Sequence, residues 1–334
     1  MKRTLFVAMF LTLLVSSAMA APSGKVMLYS SMQEDQLVAI KKGFEAKYPE
    51  IVMDYYFAGT GRVITKIATE HQAGQVAADV IWVGDPSDYL SFKKEGILEK
   101  YSSPEASAIA PKFIDPDGFY TGARMMNMGI GYNSALVEPQ DAPKSWNDLL
   151  DPKWEGQIVM TDPASAGTTK YFVAALLASP KYGEEYFKKL RANGCELESG
   201  TTATHNQVAA SAYQVGIMLD YVSHNLMAQG SPIGFTYLPE DLISIFSPIG
   251  LVKGSANNEN GKLLYDFILS KDGQKILIAN NLLSVRDDVE QKDVDVEAIA
   301  KSAMTVDLES LAANSDKILN TFDNIFKFQS TQKR

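Results

Sequence analysis

Short apolar runs and amphipathic stripes alternate through the first hundred residues, and this alternation restricts the fold more than any other feature of the chain. Residues 25–29 read as a buried strand. Ser31 and Glu34 stand at capping-box spacing before a helix with the apolar stripe Leu37, Ile40, Phe44 and Tyr48, and Pro49 closes it. Residues 51–57 form the next strand, Gly59-Thr60-Gly61 a turn, and Val63, Ile64, Ile67 and Ala68 mark a second helix. Residues 80–83 make a third strand, followed by Pro86 where a first-turn proline is tolerated. Such alternation predicts an α/β chain built on a parallel, doubly wound sheet.

The rhythm changes near Phe119. Residues 128–132 are a glycine-containing extended run, and a loop punctuated by Pro139 and Pro143 follows, which predicts a crossing into a second lobe. That lobe reads as a short helix at 146–150, a strand at 158–161, helices at 166–177 and 182–193, a turn at 199–202, a helix at 204–213 and a strand at 216–219. Residues 247–252 look like a strand returning to the first lobe. A helix at 258–269 and a tail with Ile318, Leu319, Phe322, Ile325 and Phe328 complete the chain. The expected boundaries are 21–120 and 247–295 for lobe one, 121–246 for lobe two, and 296–334 for helices packing on lobe two or the hinge. Two crossings predict a hinge above a cleft, and in open α/β sheets ligands sit outside the carboxyl ends of the strands.

The start of the chain says where it works. Lys2 and Arg3, an apolar run from 5 to 15 and Ala18-Met19-Ala20 read as a signal peptide cleaved after Ala20. Removing Lys2 and Arg3 takes the net charge from −9 to −11, which argues against nucleic acid or an anionic membrane surface as partner. The lone Cys195 offers neither a disulfide nor a lipoprotein anchor and reads as a small buried hydrophobe. A periplasmic monomer is expected.

Four segments could carry chemistry: Ser30-Ser31, Gly59-Thr60-Gly61-Arg62, residues 165–169 (Ser165, Ala166, Gly167, Thr168, Thr169), and Thr201-Thr202-Ala203-Thr204. Each lies before or at an expected helix start, where free N–H groups and the positive helix end favour an anion. Arg62 can add a forked contact. The same residue types are favoured as ordinary caps and turns. Asp85 and Asp220 follow expected strands, Tyr221 can serve as a polar wall residue or, as phenolate, a metal ligand, and His205 lies at a helix start. His71 and His224 have no metal-site spacing. Hydrolase and nucleotide motifs such as G-x-S-x-G, H-E-x-x-H and the P-loop are missing, so no enzyme and no cofactor are expected.

Several stretches resemble the solute-binding proteins of ABC importers, in the branch that holds ferric-, thiamine-, 2-aminoethylphosphonate- and hexose-phosphate-binding proteins. They are residues 26–31 (VMLYSS), 44–49 (FEAKYP), 78–82 (ADVIW) and above all 145–156 (SWNDLLDPKWEG). The resemblance implies a type II periplasmic-binding-protein fold, capture of a small solute by hinged closure of two lobes, and delivery to a membrane permease. A docked chemoreceptor or sensor is a further possible partner. Ferric members carry two adjacent tyrosines where this chain has Tyr221 and Val222, and their early histidine and glutamate ligands fall near Gln33 and Gly84. The resemblance therefore favours an organic phosphate or phosphonate, held by Ser30, Ser31, Thr60, Gly61 and Arg62 from lobe one and by Ser165, Thr168, Thr169, Thr202 and Thr204 from lobe two. Asp85, His205, Asp220 and Tyr221 would read the rest of the ligand. Ferric iron bound with an anion, through Tyr221, and thiamine or its phosphate are the alternatives.

Overall fold

The structure is a computed structural model that describes residues 23–291 and 296–327. The expected signal peptide at 1–20 and Phe328 lie outside the described residues. In chain order the first lobe holds β1 (Gly24–Ser30), α1 (Glu34–Lys47), β2 (Ile51–Phe57), α2 (Thr60–Gln72), β3 (Val80–Trp82), α3 (Pro86–Lys94) and β4 (Leu98–Glu99). The long β5 (Thr121–Asn133) crosses over. The second lobe follows with β6 (Ile158–Thr161), α4 (Gly167–Ala178), α5 (Gly183–Ala192), β7 (Glu196–Glu198), α6 (Thr201–Ala209), β8 (Val215–Leu219), α7 (Asp220–Ala228) and β9 (Ile233–Thr236). β10 (Ile243–Val252) returns, and α8 (Asn258–Leu269), α9 (Lys271–Ala279), α10 (Val296–Ser302), α11 (Leu308–Ala313) and α12 (Ser315–Phe326) end the described chain.

The strands form one mixed sheet in the order β2-β1-β3-β10-β5-β8-β6-β7, with β4 on β10 and β9 on β5. Pairing is parallel among β1, β2 and β3 and among β6, β7 and β8, whereas β10 runs antiparallel to β3 and β4, and β5 antiparallel to β8 and β9. The expected parallel sheet fails there. The two crossing strands, β5 and β10, run in opposite senses and pair antiparallel with each other, because one carries the chain out and the other carries it back. All thirteen residues of β5 are buried.

The register of β10 shifts between Ser247 and Pro248. Proline has no N–H for the ladder, which confines it to such irregularities. Side chains pin the break instead: the Ser247 hydroxyl donates to the Val83 carbonyl at 2.8 Å and the Tyr89 hydroxyl to the Pro248 carbonyl at 2.5 Å.

Local expectations met different fates. The capping box on α1 does not form. Gln33 is the N-cap and makes no side-chain bond, so the helix starts too late for Ser31 to reach it, while Glu34 and Asp35 face the positive helix end. Segment 146–150 is a 3-10 turn, Trp146–Leu150, closed by a capping box between Ser145 and Asp148. The C-terminal helices reach further than expected: α11 lies on α3 of lobe one, and α12 packs on α4 and α5 of lobe two. Phe322 fastens α12, its ring stacked on Phe326 at 4.3 Å and edge-on to Phe187 at 5.6 Å.

Candidate functional site

A cleft of about 820 Å³ opens between the lobes. Three helices begin on its wall, and none has a side-chain cap: α2 after Gly59, α4 after Ala166 and α6 after Gly200. By contrast α3, which starts behind the wall, is capped by Asp85, whose carboxylate accepts from Ser87 N–H at 2.8 Å. An uncapped N-terminus leaves N–H donors and the positive dipole end for whatever occupies the cleft.

Arg124 stands on β5, on the cleft wall between the lobes, and is 2% exposed. No carboxylate pairs with it among the described residues. Its neighbours are neutral: Gln36 Oε1 at 3.4 Å, the Trp82 ring at 5.4 Å and the Tyr221 ring at 5.8 Å, and its Nε has no hydrogen-bond partner. Burial lowers its pKa from the ordinary value, yet a guanidinium stays charged. Burial also raises the pKa of Tyr221, against the pull of Arg124, so this phenol stays protonated at neutral pH.

The other charges are engaged or peripheral. Lys66 pairs with Glu70 at 2.5 Å and sits over the Tyr29 and Tyr56 rings. Arg62 is exposed at the rim, with no ion pair among the described residues. Asp162 is the one carboxylate among the described residues lining the cleft, and it accepts from Ala164 N–H at 2.9 Å and lies 3.3 Å from Lys327 Nζ.

Of the residues singled out in the sequence, Ser31, Thr60, Gly61, Arg62, Ser165, Thr168, Thr202 and Tyr221 come together on the cleft wall. Six do not. Ser30 is fully buried, donating to the Trp82 carbonyl and accepting from Met32 N–H. Asp85 caps α3 and lies 2.9 Å from Lys170 Nζ. Thr169 is buried within the first turn of α4. Thr204 is inside α6, bonded to Thr161 Oγ1 at 2.7 Å, because the helix starts at Thr201 rather than 204.

His205 is likewise inside α6. Its Nε2 accepts from Leu219 N–H at 3.1 Å, so Nδ1 carries the proton and donates to the Thr201 carbonyl at 2.7 Å. Burial drops its pKa from 6.5 to about 4, which leaves it neutral. Asp220 accepts from Asn127 N–H at 3.0 Å, Asn127 Nδ2 at 2.8 Å and Tyr221 N–H at 2.8 Å. These six brace the walls of the cleft. Arg124 was not among the residues singled out in the sequence, though one signal was legible: it is the sole charge in a thirteen-residue buried strand.

The profile of the bacterial extracellular solute-binding proteins matches residues 77–313, more than half of the chain. The chain belongs to this family. A protein of Salmonella typhimurium, provisionally named a 2-aminoethylphosphonate-binding periplasmic protein, is 28% identical over 256 residues, covering 73% of this chain and 72% of its own. Among solved structures, the periplasmic binding protein AfuA of Actinobacillus pleuropneumoniae, with exogenous fructose 6-phosphate bound, matches with a TM-score of 0.82 at 27% identity over 92% of this chain and 99% of its own. Iron-bound HitA of Pseudomonas aeruginosa matches in fold at a TM-score of 0.79, with 18% identity over 91% and 99% of the two chains. The fold is thus that of type II periplasmic binding proteins. The protein is a periplasmic solute-binding component of an ABC transporter, a partner of a membrane permease and not an enzyme.

Proposed function

We propose that the cleft captures a small organic phosphate or phosphonate for import, held by Ser31, Thr60, Gly61 and Arg62 from lobe one and Ser165, Thr168, Thr202 and Tyr221 from lobe two. The observation that carries this reading is Arg124, a buried cation without a counter-ion among the described residues. A buried charge left unpaired costs several kcal/mol, so an anion that arrives with its own hydrogen-bonding oxygens offsets that cost. The uncapped starts of α2, α4 and α6 supply N–H donors of the same sign, and the threonine and serine hydroxyls add donors without bulk.

The same charge pattern bears on the ligand's other end. Asp162 is already engaged, so among the described residues an ammonium group has no free carboxylate to meet in the cleft. This favours a phosphate ester with an uncharged polar body over 2-aminoethylphosphonate. It also disfavours ferric iron and thiamine, since either cation would face Arg124. Export with cleavage after Ala20 belongs to the same reading and is checked by N-terminal sequencing.

Thermal unfolding of refolded, ligand-free chain tests it against hexose phosphates, phosphoglycerate, 2-aminoethylphosphonate, thiamine phosphates and ferric citrate. A ligand at 100 times its dissociation constant stabilises by about 2.7 kcal/mol. The expected shift comes from a phosphate ester. A shift with ferric iron alone, accompanied by a tyrosinate absorption band, would replace the reading with iron transport.

A further inference from the structure

We propose that Lys170 is a closure latch, a lobe-two ammonium that lets the lobes close by pairing with two carboxylates of lobe one. Lys170 lies on α4, whereas Asp85 and Asp88 lie at the start of α3. Its Nζ is 2.9 Å from Asp85 Oδ2 and 2.5 Å from Asp88 Oδ1, and all three side chains are buried. The cluster is separate from the residues that line the cleft. Lysine near the start of a helix works against the helix dipole, and here the two carboxylates of lobe one offset that cost.

The backbone around the cluster is fitted to contact between the lobes. A Cβ on Gly59 would stand 2.8 Å from the Ser165 carbonyl oxygen, one on Gly61 2.2 Å from the Ala164 carbonyl oxygen, and one on Gly167 3.0 Å from Asp85 Cβ. Side chains at this seam would hold the lobes apart.

Opening the hinge separates Lys170 from Asp85 and Asp88 and lets water reach all three. Closing buries two negative charges and one positive. Without the lysine, two carboxylates would be buried together with only the start of α3 and the Ser87 N–H to offset them. The closed cluster remains short of one positive charge: Asp88 Oδ2 has no hydrogen-bond partner, and burial with the neighbouring Asp85 raises the Asp88 pKa to about 7. The latch therefore permits closure without enforcing it, and bound ligand tips the balance. Affinity then scales with the population of the closed state.

The test uses the full chain with spin labels at two exposed sites, Val38→Cys on lobe one and Leu136→Cys on lobe two, and distances measured with and without fructose 6-phosphate. Lys170→Met is expected to lengthen the distances in at least one of the two states. It should raise the dissociation rate of the sugar phosphate about tenfold with the association rate unchanged, because capture by the open form does not use the latch. Lys170→Arg should restore most of the loss, and Asp88→Asn, which leaves one neutral ion pair, should dissociate no faster than wild type.

Identical distances in wild type and Lys170→Met in both states would overturn the latch. So would a Lys170→Met chain that does not fold, because the lysine would then hold the fold rather than its closure, and so would fast dissociation in Asp88→Asn. The latch rests on hinged capture, and on the proposed ligand class only for its probe. A wild-type chain that ignores fructose 6-phosphate counts against the sugar phosphate, and the two distances are then compared with the compound that gives the largest thermal shift as probe.

Discussion

Replacing Arg124 with methionine should weaken binding and leave the free protein at least as stable, a pairing of signs that a structural arginine does not give. The side chain is 2% exposed, it has no carboxylate partner among the described residues, and its Nε is unsatisfied. In the free chain the guanidinium is a net cost, partly offset by the Trp82 and Tyr221 rings, so methionine, which keeps the apolar stem, should hold stability level or raise it by up to about 1 kcal/mol. In the complex the charge meets an oxyanion that has shed its water. Losing one partner of such a pair costs about 3 kcal/mol, or roughly 150-fold in dissociation constant. Calorimetric titration reads the affinity and urea unfolding the stability. A variant that binds as wild type does but unfolds several kcal/mol more easily would refute the reasoning and make Arg124 a core strut.

Two further outcomes follow from the walls of the cleft. His205 is neutral in the folded protein, with a pKa of about 4 against an ordinary 6.5, so the unfolded chain binds the extra proton first. Stability should fall as pH drops below 6.5, by about 2 kcal/mol between pH 8 and pH 5 from this group. Urea unfolding across that range should show a shallower fall in His205→Gln, and equal slopes would contradict the assignment. Gly61→Ala would set a Cβ 2.2 Å from the Ala164 carbonyl oxygen, so it should impair closure and weaken ligand affinity at least tenfold by calorimetry while barely moving the melting point of the free chain. Unchanged affinity would mean that the seam does not close as drawn.

Local pattern carried much of the fold. The stripe of α1, the turn before α2, the first-turn proline of α3 and the span Asn258–Leu269 were all legible, because each rests on neighbours within a few residues. The antiparallel pairing of β5 and β10 was not, since it depends on where two strands more than a hundred residues apart meet. The site divides in the same way. Turns rich in Ser, Thr and Gly announced the helix starts near Thr60 and Gly167, and a third that was expected at Thr204 and lies at Thr201. Which of their hydroxyls face the cleft depended on a helix register misjudged by a single turn, and this buried Thr204 and His205. Arg124 bore no motif; that no carboxylate among the described residues pairs with it is visible only in the folded chain.

The most direct measurement is a pair of calorimetric titrations on refolded wild-type protein, one with the phosphate ester that gives the largest thermal shift and one with the same compound lacking its phosphate. A site built to hold an oxyanion leaves Arg124 and three helix ends unmatched when the phosphate is removed, so the account predicts an affinity loss of about 10⁴-fold. Affinities within tenfold of each other would contradict it and would move recognition to the ligand's body.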